Sequence, residues 1–410
     1  MNVLLVNTSE TTGGAAIACG RILKALRSEG VDAHMMVRNA EGRSEGVIPV
    51  GNGLKKRWCF LWERFVIWIS NRFRRKNLFK VSIANCGIDI TKTKEFKQAD
   101  IINLHWVNQG MLSLKCIGKI LSSGKPVVWT MHDMWPCTGI CHHAYECTGY
   151  QTQCNHCPFL LFPGNLFLSS KVFRRKQKMF AKAHNLTFVT VSNWLADKAK
   201  LSALTGTFPV HVIPNVLSLH QFNIIDRSEA RKDLRINETY VISFGAARID
   251  DPIKGFSYLA KALGLLVESG EFSRDDIRLL VFGQVRNPSI FESVPVPCTY
   301  LGYIDSNRLP QVYSASDVTV SSSLYETFGQ TLIEAMACGS TPVSFDGSGQ
   351  TDIINHKKNG FLARRLSSES LTEGISWALN NKLPAQELRQ SVIERYSEKN
   401  VAQQYISLFK

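Results

Sequence analysis

Four groups of side chains in this 410-residue chain have the types and spacing to do chemistry. Glu326 and Glu334 bracket Phe328, Gly329, Gln330 and Thr331 in the stretch YETFGQTLIEAMACG. Carboxylates so placed can accept hydrogen bonds from two hydroxyl-bearing parts of one extended ligand. Arg248 and Lys254 share a loop with Gly245 and Gly255. Two cations where glycines allow close backbone approach suit a diphosphate. His132 directly follows the apolar run PVVWTM and precedes Asp133. Cys141, Cys147, Cys154 and Cys157 are spaced x5, x6 and x2, with Cys137, His142, His143 and His156 close by. The Cys-x-x-Cys half fits a tetrahedral zinc site, and four thiolates would leave no open position, so zinc there would be structural. The other reading is a loop of reduced thiols, or of disulfides formed after purification.

These side chains need strands and helices to hold them. The run DVTV at 317–320, the loop that follows, an amphipathic stretch opening at 329–331 and a second apolar run from 342 read as strand, loop, helix and strand of a parallel α/β sheet. Ligands of such sheets sit at the carboxyl ends of the strands, where helix N-termini present unpaired N–H groups and the positive end of the dipole. Were 326–334 wholly helical, the two glutamates would be roughly 12 Å apart along the axis. The same logic places Arg248 and Lys254 after a strand at 241–244 with a helix from 256. It places His132 after a strand at 126–131, and Gly13 and Gly14 between a strand near 2–7 and a helix. Gly14 would let backbone N–H groups approach a phosphate or sugar. Further strands are expected at 31–37, 100–105, 186–192, 210–216, 277–283 and 296–303. Helices are expected at 112–121, 169–184, 193–201, 306–315, 370–379, 384–396 and 402–410. The α/β pattern restarts after a polar stretch, which puts a boundary near residue 217.

The double-glutamate unit, with the G-x-x-R-x5-K-G pattern at 245–255, resembles glycosyltransferase family 4, retaining nucleotide-sugar transferases of the kind that build bacterial surface polysaccharides. The resemblance is strongest over 240–363 and weaker in the first half. It implies the GT-B fold, two Rossmann-like doubly wound α/β domains facing a central cleft. Residues 1–217 would bind the acceptor, 218–392 the nucleotide-sugar donor, and 393–410 would pack back on the first domain. It also implies that Glu326 faces the donor sugar's hydroxyls and Glu334 the nucleotide ribose. Arg248 and Lys254 would hold the diphosphate, His132 would approach the donor sugar and reacting centre, and Gly14 belongs to the first Gly-Gly loop. No DxD-type acidic clamp stands out, so no metal or other cofactor is expected for catalysis.

Composition is that of a globular protein, 44% hydrophobic and 20% charged, with a formal charge of +14 that points to an anionic partner. No apolar run reaches the ~20 residues needed to span a bilayer, and MNVLLVN does not read as a signal peptide. The stretch 54–80, LKKRWCFLWERFVIWISNRFRRKNLFK, holds nine Lys or Arg and one carboxylate, Glu63. Trp58, Leu61, Trp62, Phe65, Ile69 and Phe73 fall near helical spacing. Such a segment suits a helix lying on anionic lipid, or alternatively a core-facing helix with a solvated basic side. No nucleic-acid-binding module accompanies the charge. The expected partners are a UDP- or GDP-sugar, a saccharide or lipid-linked saccharide acceptor and an anionic membrane surface, with no nucleic acid. The expected location is the cytoplasmic face of the membrane. Two other readings stay open: another GT-B reaction, such as sugar epimerisation or phosphorolysis, and a basic membrane- or nucleic-acid-binding protein without catalysis.

Overall fold

The computed structural model describes every residue except Arg43 and Pro163, with Asn165 and Leu166 described by backbone alone. The chain divides into two compact units, one of Met1–Pro214 with Val401–Lys410 and one of Asn215–Asn400. The division falls three residues before the expected 217. The tail that belongs with the first unit starts at Val401 rather than at 393.

The first unit is built on strands β1 (Asn2–Ser9), β2 (Asp32–Asn39), β3 (Val47–Pro49), β4 (Ile101–Leu104), β5 (Val127–Met131), β6 (Leu186–Thr190) and β7 (Val210–Val212). They form one sheet in the order β3-β2-β1-β4-β5-β6-β7, parallel at every pairing. Because helices cover both faces of such a sheet, its central strands are apolar throughout rather than alternating. Val3, Leu4, Leu5 and Val6 are all buried. Helices α1 (Gly14–Ser28), α2 (Gly53–Ser70), α3 (Lys94–Gln98), α4 (Leu114–Leu121), α5 (Gly164–Phe180) and α6 (Asn193–Leu201) join them. Their starts are written locally: Asn52, Thr93, Ser113 and Ser192 each accept a backbone N–H from the first turn of α2, α3, α4 and α6. Strand order reverses between β1 and β4, which makes the carboxyl ends of these two strands the switch point.

Helix α2 departs from the core-facing alternative. Its buried stripe is Cys59, Glu63 and Ile67, one residue per turn. Glu63 Oε1 accepts the N–H groups of Ile83 and Ala84, both at 2.8 Å, and Oε2 pairs with Arg64 at 2.9 Å. Arg64 in turn donates to the carbonyls of Leu78 and Val81. Cys59 is disulfide-bonded to Cys86. The six apolar residues expected along one face all lie on the outside.

The second unit has α7 (Arg227–Asp233), β8 (Tyr240–Arg248), α8 (Phe256–Glu268), β9 (Ile277–Gln284), β10 (Cys298–Tyr300), α9 (Leu309–Ala315), β11 (Val318–Ser321), α10 (Gln330–Ala337), β12 (Thr341–Phe345), β13 (Phe361–Ala363), α11 (Ser368–Asn380), α12 (Ala385–Tyr396) and the start of α13 (Glu398–Phe409). Its sheet runs β10-β9-β8-β11-β12-β13 and is parallel at every pairing. Here the reversal falls between β8 and β11. The amino ends of these strands are pinned by Asp317, which accepts from Arg227 at 2.9 Å, Arg231 at 2.6 Å and the N–H of Val241 at 2.8 Å. Short β3, β13 and α7 were not expected, because three to seven residues carry too little periodicity to stand out from turns. Among the described residues no helix is long and apolar enough to cross a membrane.

Candidate functional site

The carboxyl ends of β8 and β11 carry the residues singled out in the second unit. β8 runs four residues further than expected, through an irregular register between Gly245 and Arg248. Arg248 is therefore the last residue of the strand, where its guanidinium pairs with Asp251 at 3.0 Å and lies 3.7 Å from Asp250. The turn that follows, Pro252–Lys254, ends at Gly255 with φ +66°. A Cβ at Gly255 would stand 2.1 Å from the carbonyl of Ser322. Glycine is thus required both by the backbone and by the loop after β11 pressing on it. Ser322 Oγ donates to the carbonyls of Lys254 and Gly255, and Leu324 N–H donates to Ile253 O. The two loops form one unit.

Within that unit Lys254 Nζ meets Glu326 Oε2 at 2.8 Å, each side chain about a quarter exposed. Burial works against the ammonium, but Glu326 beside it raises the Lys254 pKa above its ordinary value. The Glu326 loop is held from its other side as well. Ser348 Oγ accepts Glu326 N–H at 3.1 Å, and Gly349 N–H donates to Glu326 O at 2.8 Å. Gly329, at φ +113°, opens α10 without a side-chain cap, leaving its first N–H groups to be satisfied by something else. Gln330 adds a buried amide nitrogen with no hydrogen-bond partner among the described residues. Thr331 follows it in the first turn and is half-buried. Phe328 is buried with its ring edge-on to Tyr396, so its side chain shapes the loop and only its backbone is left to meet a ligand. Glu334 is buried and accepts a long 3.4 Å hydrogen bond from the Tyr313 hydroxyl. Only 330–337 is helical, so the 12 Å separation expected for a continuous helix does not apply.

In the first unit, β5 delivers His132 as expected, but its partner is not the neighbouring Asp133. His132 Nε2 lies 2.9 Å from Nδ1 of His105, which follows β4 at the switch point. His105 Nε2 lies 3.0 Å from Asn103 Oδ1. The Asn103 amide nitrogen donates to Val128 O and Thr130 Oγ, which fixes Oδ1 as the acceptor facing His105. His105 therefore carries its proton on Nε2 and offers a lone pair on Nδ1, so His132 must donate from Nε2. Burial drives both rings toward neutrality: His132 is pushed down to about 4, and His105 well below its ordinary value. His105 closes the strand expected at 100–105 and had no role assigned to it. The rule that selected His132, a polar side chain just past a strand, would have selected His105 too.

Asp133 instead ties the cysteine loop to the sheet. It accepts Trp106 Nε1 at 2.7 Å, His142 Nδ1 at 2.6 Å and Trp135 N–H at 2.8 Å. Burial opposes its ionisation, yet His142 and these donors hold its pKa below the usual carboxylate range. The thiols of Cys141, Cys154 and Cys157 lie within electrostatic reach of one another, as do those of Cys147, Cys154 and Cys157. Burial raises the pKa of Cys154 and Cys157 to about 11. Among the described residues no group of three or more His, Cys, Asp or Glu is placed to hold a metal ion. Gly14 is the first residue of α1, after Gly13 at φ +93° and with no side-chain cap. A Cβ at either glycine would meet nothing within 4 Å, so the space before this helix is open.

Two parallel Rossmann-like units, one of them with cations and an uncapped helix start at its switch point, have the GT-B architecture, and sequence likeness to glycosyltransferases makes the chain one of them. Residues 226–399 match the family Glycosyl transferases group 1. An uncharacterized glycosyltransferase of Methanocaldococcus jannaschii is 23% identical over 66% of this chain and 70% of its own. A glycosyl transferase of Escherichia coli named for colanic acid biosynthesis is 23% identical over 74% of this chain and 72% of its own. Among solved structures, HepE of Anabaena in complex with UDP and glucose superposes with a TM-score of 0.64 at 16% identity, covering all of this chain and 99% of that one.

Proposed function

We propose that this chain is a retaining transferase of family 4 type. In this reading it moves a sugar from a UDP- or GDP-sugar to a saccharide or lipid-linked saccharide acceptor, in the synthesis of a surface polysaccharide. The observation that carries this is the joined loop pair at the β8–β11 switch point. It holds Lys254 on Glu326 in the loop that leads into α10, with Arg248 at the end of β8 just before it in the chain. HepE binds UDP on the same fold, and the colanic acid relative supports the polysaccharide setting.

In the proposed step the acceptor oxygen attacks the anomeric carbon on the face from which the diphosphate departs. The bond from that carbon to the phosphate oxygen breaks, its electron pair stays on the diphosphate, and the acceptor's proton passes to the departing phosphate. In this reading Arg248, Lys254, the Gln330 amide and the α10 N–H groups meet the growing negative charge, and fixed donors would stabilise it without reorganising. Glu326 orients the sugar hydroxyls and Glu334 the ribose. His132, kept neutral by burial and hydrogen-bonded to His105, offers the sugar a fixed hydrogen-bonding edge rather than a strong base. No metal enters this step.

For the cysteine loop we propose structural zinc on Cys141, Cys147, Cys154 and Cys157, whose thiols would have to draw closer together than they stand here to bind it. Cys154 and His156 both take left-handed backbone conformations, and Cys154 Sγ accepts Gly139 N–H at 3.2 Å, as a metal-binding knuckle would need. Elemental analysis of purified protein should find close to one zinc per chain; metal-free, folded protein would discard the site.

Incubation with a panel of UDP- and GDP-sugars should show donor binding and slow hydrolysis, and a new glycosidic bond when an acceptor is present. Lack of binding to every donor, or turnover that forms no glycosidic bond, would overturn the reading in favour of a different GT-B reaction or none.

A further inference from the structure

Helix α2 turns outward the side chains that would ordinarily be hidden. Trp58, Leu61, Trp62, Phe65 and Ile69 recur at helical spacing along its outer face, and Trp58 is 62% exposed. Their rings form a continuous ladder. Trp58 stacks on Trp62 at 5.8 Å, Trp62 neighbours Phe65 at 5.9 Å, Phe65 neighbours Trp68 at 6.2 Å, and Trp68 meets Phe73 edge-on at 4.8 Å. Contiguous exposed aromatic surface of this kind marks an interaction site rather than ordinary surface.

The fold adds a second segment that the sequence separates by about ninety residues. Leu161 N–H donates to the Asn71 side chain at 2.8 Å, just past the end of α2. Gly164, the first residue of α5, is so close that a Cβ there would stand 2.1 Å from the carbonyl of Ser70. Leu161, Phe162 and Phe167 are exposed in this segment. The start of α5 thus lies against the end of the aromatic ladder.

Charge selects the occupant. Lys55, Arg57, Arg72, Arg74, Arg75, Lys76 and Lys80 are exposed around α2, and Lys171, Arg174, Arg175 and Lys178 along α5. The one carboxylate in 54–80, Glu63, is buried against Arg64, and 161–184 contains none. A second copy of this chain would bring like charges together. A bilayer rich in anionic lipid would take the aromatic side chains into its interface and the cations among its headgroups.

We propose that the outer face of α2 together with Leu161, Phe162 and Phe167 forms one docking surface for an anionic membrane. This deepens the lipid-linked-acceptor reading above. Vesicle binding is measured without donor or acceptor, so either proposal can fail alone.

The test is co-sedimentation of the full chain with vesicles, combined with tryptophan emission. Vesicles with roughly a third phosphatidylglycerol should bind at least about tenfold more tightly than pure phosphatidylcholine, with a blue shift in emission. Trp58→Ser with Trp62→Ser should weaken binding about tenfold or more, and Phe162→Ser with Phe167→Ser several-fold, with unchanged melting temperatures because these side chains are exposed. Wild-type protein that ignores anionic vesicles overturns the proposal. So does binding that high salt abolishes but the aromatic variants do not change, since charge alone would then suffice. If only the phenylalanine pair is silent, the two-segment surface is overturned. Self-association lost in the tryptophan variant, or tight DNA binding in place of vesicle binding, would assign the face to another occupant.

Discussion

The two strand-end regions hold their polar groups in opposite ways. At the β8–β11 ends the decisive groups are charged and partly exposed: Lys254 on Glu326, Arg248 on Asp251. At the β4–β5 ends they are neutral and more enclosed: half-buried His132 on buried His105 on buried Asn103. A partly solvated ion pair is worth little in itself and can exchange partners at low cost. A buried neutral chain with every proton assigned is rigid and costly to disturb. The first arrangement suits a ligand whose charge arrives and changes; the second suits holding one edge of a ring in place. Removing residues should therefore hurt chemistry in one region and stability or acid tolerance in the other.

The largest effect expected is at Lys254. Lys254→Ala and Glu326→Ala should each lower kcat/KM for transfer by about 10²–10³-fold, while melting temperatures stay within a few degrees of wild type. Near-normal transfer by either variant would remove the ionic region from the chemistry. Next comes Asp133→Ala, which strands His142 and the indole of Trp106. Breaking a buried pair of this kind costs about 3–5 kcal/mol, to be read from chemical denaturation, and a loss under ~1 kcal/mol would show the cysteine loop does not depend on it.

The acid response comes third. His132 has a folded pKa lowered from 6.5 to about 4. Between these values the unfolded chain binds the proton and the folded one does not, so stability rises with pH across that window and is lost as pH falls through it. The His132 contribution is at most about 3 kcal/mol, and His105 acts in the same direction. Denaturation from pH 6.5 to 4 should be steeper in pH for wild type than for His132→Gln; parallel curves would mean the histidine chain is not held neutral. The smallest effect is at Glu334. Glu334→Gln should raise the donor KM about tenfold with little change in kcat, because contacts to the ribose are the same in ground and transition states. An unchanged KM would take the ribose role from it.

Much of the second unit was legible because its information is local. β11, its loop and α10 fall where apolar runs and Gly329 put them, and Arg248, Lys254 and Glu326 stand out because their motifs resemble a known family. α6 begins and ends at the expected residues since Ser192 and the apolar period both mark it. What failed was non-local. Nothing in the order His132-Asp133 reveals that the histidine turns to His105 and the aspartate to His142. Nor does periodicity say which face of α2 is buried, because its aromatic stripe and its Cys59–Glu63–Ile67 stripe are both helical. The latter won because Glu63 accepts two backbone N–H groups at 83–84 and pairs with Arg64.

By itself the sequence determined the alternation of strands and helices, the two α/β units and the residue types gathered at strand ends, since these depend on side-chain period and turn chemistry within a few residues. Only the tertiary structure decided which of those residues meet. It set the Ser322 loop onto Gly255, gave His132 its proton donor role, buried Phe328 and turned an aromatic helix face outward. Such pairings join residues far apart in the chain, and each is fixed by the need to satisfy every buried polar group at once.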